Sequence, residues 1–66
     1  MYGQRIKELR TEKGLTQAQL AEQLGTTQRN ISKYELESLD LSTDMIIRLC
    51  TFFGVTAGYL LGMEEE

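Results

Sequence analysis

Between Thr27 and Glu35 the chain reads TQRNISKYE, nine residues that offer amides, a guanidinium, hydroxyls and an ammonium, and no carboxylate before the last. If this segment is helical with Ile31 turned inward, a step of about 100 degrees per residue puts Thr27 and Tyr34 within roughly 60 degrees of it. Arg29, Ser32 and Lys33 then fall on the opposite side, with Gln28 at one edge and Asn30 at the other. Such a face presents hydrogen-bond donors and positive charge. Arg and Lys donate to guanine O6 and N7, and Gln pairs bidentately with adenine N6 and N7. The same groups serve phosphate oxygens, which a carboxylate would repel. An ordinary solvated face has a similar composition, so the elements that hold these residues decide between the two readings.

Helical spacing dominates the chain, which has no proline and no sustained alternation of the strand kind. The triplets GLT, GTT and GVT at residues 14, 25 and 54 each supply a glycine stop, one spacer and a threonine cap. They punctuate five short helices. In the first, Ile6 and Leu9 mark the inner face. Thr16 caps the second, and Gln19 three residues on completes a capping box, with Leu15 and Leu20 placed as a hydrophobic staple. Leu20, Ala21 and Leu24 are its buried side. Thr27 opens the third, with Ile31 and Tyr34 inward. Ser42 caps the fourth, whose expected stripe is Ile46, Leu49, Cys50 and Phe53, with Asp44 suiting the dipole of its first turn. Thr56 opens the fifth, AGYLLG, with a Val55–Leu60 staple. About three residues containing glycine join helices two and three. That connection suits a steep helix-turn-helix crossing, with Ala21 small at the contact, Gly25 permitting the turn and Ile31 anchoring the third helix.

Sixty-six residues make one domain. A core this small needs tight packing or a partner. With one cysteine and no histidine, an internal disulfide and a Cys/His zinc site are excluded. No cofactor is expected. No run of about 20 apolar residues is present, and the start lacks a leader's apolar segment, so a soluble, cytoplasmic protein is expected. Net charge is −3, but unevenly spread. Residues 1–36 hold six basic against four acidic groups, a balance of +2, and residues 37–66 hold one against six, a balance of −5. The basic half contains the carboxylate-free face. No nucleophile and base stand at a catalytic spacing, and Cys50 falls on a buried stripe, so an enzyme is not expected.

The stretch LTQAQLAEQLGTTQRNISKYE resembles the helix-turn-helix of phage repressor and Cro-type (XRE-like) transcriptional regulators, and the likeness runs from RIKELRTEKGLTQ to FFGVTAGYLLG. The resemblance implies an all-α, compact five-helix repressor-like domain. Its helix-turn-helix lies at about 17–35 and its recognition helix at about 27–36. It also implies a homodimer on a two-fold symmetric double-stranded DNA operator. Carried over residue by residue, Thr27, Gln28, Arg29, Ser32 and Lys33 are expected to read bases, and Thr16, Gln17, Asn30, Ser38 and Thr43 to touch phosphates. Gln17 is further expected to brace the recognition helix at Gln28. Arg10 and Glu35 match a structural ion pair of some relatives. The chain departs from the pattern at ELESLDLS, which lacks the usual glycine and proline, and at Thr26, a place often apolar.

The dimer contact is expected in the C-terminal apolar segment, at Tyr59, Leu60, Leu61 and Met63, the alternative being that these residues close the monomer core. Residues 64–66 read as a frayed acidic tail. The competing functional reading is a protein-interaction module on the same scaffold, which the acidic second half supports. Steep salt dependence of duplex binding would distinguish a DNA reader from it.

Overall fold

The computed structural model describes residues 1–64. Five helices follow in order: α1 Tyr2–Glu12, α2 Gln17–Leu24, α3 Gln28–Glu35, α4 Thr43–Phe53 and α5 Ala57–Leu60. Among the described residues there is no strand. The fold is all-α.

Each start after the first uses a hydroxyl cap. Thr16, Thr27, Ser42 and Thr56 accept from the backbone N–H of Gln19, Asn30, Met45 and Tyr59 at 3.0–3.1 Å. The Gln19 side chain accepts in return from Thr16 N–H at 2.9 Å, which completes the capping box. Gly25 ends α2 at φ 68°, the left-handed region open to glycine at little cost. The chain then turns within two residues into α3.

The core draws on all five helices: Ile6 and Leu9, then Leu20, Ala21 and Leu24, then Ile31 and Tyr34, then Met45 and Leu49, and finally Leu60. Helix α4 is rotated from its expected stripe. Leu49 is fully buried, but Met45 joins it, while Ile46, Cys50 and Phe53 are only half-buried. The reason is that α4 packs on α2 and α5, which seat Leu49 and leave the Ile46–Cys50–Phe53 edge at the margin. Phe52 is also half-buried, with its ring edge-on to Phe53 at 5.1 Å. Burial pushes the Cys50 thiol above its ordinary pKa.

One expectation about the C-terminus changes. Leu60 is 0% exposed, so it closes the monomer core and is not available to a second copy. Its position on the inner side of a one-turn helix fixes this, and Val55 packs against the same core. The Glu64 carboxylate accepts a hydrogen bond from the Thr56 hydroxyl. Residues 65 and 66, the rest of the expected acidic tail, lie outside the described residues.

The segment after α3 supplies its own solution to the missing glycine. Glu37 takes the left-handed conformation itself, at φ 59°. Ser38 N–H reaches the Lys33 carbonyl at 2.9 Å and Glu37 N–H the Tyr34 carbonyl at 3.1 Å, a Schellman ending. The Glu37 carboxylate then accepts from Gly3 N–H at 3.1 Å, capping α1 from another element. This closeness requires glycine at position 3, because a Cβ there would stand 2.3 Å from the Glu35 carbonyl oxygen.

Candidate nucleic-acid interface

Helix α3 is seated by Ile31 and Tyr34 and held at its far end by a polar clamp. Glu35 accepts from Arg10 Nε at 2.6 Å and Arg10 Nη2 at 3.2 Å. Arg10 Nη1 also donates to the Leu15 carbonyl at 2.8 Å, and Gln17 Nε2 donates to Glu35 Oε1 at 3.1 Å. The Arg10 and Glu35 side chains are 12% and 5% exposed. Three helices thus meet on one carboxylate, which explains the acid that ends the carboxylate-free stretch. The expected ion pair is present. The expected brace from Gln17 to Gln28 is replaced by one to Glu35: Gln17, first residue of α2, is turned toward the C-terminal end of α3, where the carboxylate takes its amide.

The face turned from Ile31 is open at its start. Thr27, Gln28 and Arg29 are exposed, while Ser32 and Lys33 are half-buried along its side. Ser32 walls a groove of about 300 Å³ between α1, α2 and α3, together with Gln4, Lys7 and Leu36. The clamp residues Arg10, Gln17 and Glu35 complete the lining. The Thr27 oxygen is occupied as a cap, which leaves its hydroxyl proton for an outside acceptor. Asn30 is turned back on the turn, its amide donating to the Thr26 hydroxyl at 3.0 Å. That contact gives the polar Thr26 a use in the turn. Of the remaining phosphate candidates, Thr16 and Thr43 are exposed at the heads of α2 and α4. Ser38 is exposed beside the end of α3, its hydroxyl donating to the Lys33 carbonyl at 3.4 Å.

The seven cations divide by their engagements. Arg10 is in the clamp. Arg5 lies over the Tyr59 ring at 4.0 Å, and Lys13 over the Phe52 ring at 5.6 Å. Arg48 donates to the Leu24 carbonyl at 2.9 Å, capping the end of α2, and pairs with Asp44 at 2.9 Å. Lys7, Arg29 and Lys33 form no ion pair among the described residues. Two of these three are on α3. Composition alone does not separate cations engaged within the fold from those left open; the partners just named do.

An α2–α3 pair in contact across a three-residue glycine turn, a seated α3 and a donor-rich open face define a helix-turn-helix domain. A family model described as a helix-turn-helix domain matches residues 3–66, and the chain belongs to that family. The HTH-type transcriptional regulator ImmR of Bacillus subtilis (strain 168) is 40% identical over 63 residues, covering 96% of this chain and 50% of that protein. The HTH-type transcriptional activator BcrR of Enterococcus faecalis is 39% identical over 64 residues, covering 97% of this chain and 31% of that protein. The chain therefore spans about half, or less, of these relatives' lengths. A crystal structure of the P22 c2 repressor in complex with synthetic operator 9T matches with a TM-score of 0.89 at 23% identity, covering 97% of each chain. At that identity the likeness concerns the fold.

Proposed function

We propose that this chain is a sequence-specific double-stranded DNA reader that regulates transcription as a homodimer on a two-fold symmetric operator. The observation that carries the proposal is the open side of α3, where Gln28 and Arg29 stand exposed and, among the described residues, unpaired, in a stretch free of carboxylates. An α-helix is about 10–12 Å across with its side chains, which suits a major groove about 12 Å wide. Arg29 and Gln28 read base edges, with Thr27, Ser32 and Lys33 beside them. Thr16, Gln17, Asn30, Ser38 and Thr43 set register on phosphates. The relatives' names and the operator-bound repressor with the same fold support this reading. Occlusion of polymerase gives repression; the same contact placed beside a promoter gives activation, the role named for BcrR. The site of action is the cytoplasm, where the DNA is. Among the described residues no helix is long and apolar enough to cross a membrane.

With Leu60 inside, the homodimer uses what remains outside in the C-terminal segment: Leu61, half-buried, and Met63, 79% exposed, with Tyr59 beneath Arg5. Selection from a random duplex library tests the whole proposal. The expected product is two inverted half-sites whose centres are about 34 Å apart, or a multiple of one turn. Enrichment of a lone half-site contradicts the dimer, and no enrichment contradicts DNA reading.

A further inference from the structure

Lys7 lies on α1, outside the helix-turn-helix and outside the contacts assigned above. It is exposed, and it lines the groove that Ser32 walls on α3. The only carboxylate in that lining, Glu35, is already saturated by Arg10 and Gln17. The charge left uncompensated in the groove is therefore the ammonium of Lys7. A further donor at its edge is the hydroxyl of Ser32, which makes no hydrogen bond among the described residues. Ser32 follows Arg29 by three residues, close to one helical turn. A strand of phosphates must flank any base edge that Arg29 reaches, because each groove is walled by two backbones.

We infer that the α1–α3 groove seats a backbone phosphate of the bound DNA, with Lys7 as its cation and the Ser32 hydroxyl as its second donor. The inference rests on the DNA-reading function proposed above. A lysine suits this position, being a point charge on a flexible stem that needs no fixed geometry. Helix α1 then does more than support the fold: it adds a cation to a phosphate that Ser32 of the helix-turn-helix contacts from the other side of the groove.

The test compares the wild-type chain, Lys7→Gln and Lys13→Gln on a mixed-sequence DNA duplex, with affinity measured across a salt series. Lys13 serves as the control of equal charge change, since its ammonium is engaged over Phe52. Loss of one phosphate contact lowers the magnitude of the log K against log salt slope by about 0.9, and weakens binding about three- to tenfold near 0.1 M salt. Lys7→Gln is expected to show both changes with its thermal midpoint unaltered, and Lys13→Gln to show no change of slope. An unaltered slope in Lys7→Gln while wild type binds overturns the Lys7 contact alone. An equal fall in both variants overturns it as well, because net charge then explains the effect. Failure of the wild-type chain to bind duplex at any salt removes the DNA-reading function and this contact together.

Discussion

Arg29 and Arg10 are both arginines near α3, yet their surroundings give them different work. Arg29 is exposed and forms no ion pair among the described residues, so its guanidinium is free for a planar acceptor such as guanine O6 and N7. Arg29→Ala is expected to weaken binding by about 1–3 kcal/mol at one base pair and to relax preference there. Affinity measured on single-base operator variants checks this, and an equal loss on every sequence would make Arg29 a phosphate contact. Arg10 is the opposite case, with its fork spent on Glu35 and Leu15. Arg10→Met strands a carboxylate that is 5% exposed and is expected to cost about 3 kcal/mol of stability. Arg10→Met with Glu35→Leu is expected to recover much of that loss, because no buried charge is then left unpaired. Urea midpoints of the three proteins decide it; a single variant as stable as wild type would show that the pair does not hold α3.

Helix ends carry much of this fold's local definition, and the end of α3 is the least regular of them. Glu37 accepts left-handed strain and in exchange caps α1 through Gly3. Glu37→Ala keeps the strain and loses the cap, an expected loss of about 1 kcal/mol. Glu37→Gly also loses the cap but relieves strain of about 1 kcal/mol, so it is expected to lie above the alanine variant and near wild type. Thermal midpoints that rank glycine no higher than alanine would contradict this account. The contrast explains what was legible in the sequence. Caps at Thr16, Thr27, Ser42 and Thr56, the glycine turn and the inward set of α2 and α3 follow from local rules that need only neighbours in the chain. The Gln17–Glu35 bond, the Gly3–Glu37 contact and the rotation of α4 join residues far apart, and nothing local encodes which partner wins. The arginine–glutamate pair was foreseen only because the family resemblance pointed to it. For the same reason the candidate base readers could be named from helical phase, but the half-burial of Ser32 and Lys33 needed the neighbouring helices.

The whole domain is about 27 × 23 × 19 Å, small enough that one latch matters to its stability. Tyr2 ties the start of α1 to the segment before α4, its hydroxyl donating to the Leu39 carbonyl at 3.2 Å. Burial first, then the carboxylates of Asp40 and Glu37, hold its proton above the ordinary value of 10.0. The unfolded chain therefore loses this proton before the folded one. The contribution is intact below about pH 10 and falls as pH rises past it. Urea midpoints are expected to fall more steeply between about pH 9 and about pH 11 in wild type than in Tyr2→Phe; parallel curves would show no such linkage. At this level the central claim is geometric: the open side of α3 is the surface that meets DNA. Chemical-shift mapping of the isotope-labelled chain with a selected duplex tests it most directly. The account predicts the largest shifts at Thr27, Gln28, Arg29 and Lys33, with smaller ones at the heads of α2 and α4. Shifts confined to the apolar groove of Ile47, Thr51 and Phe52 between α2 and α4, with residues 27–33 unmoved, would contradict it.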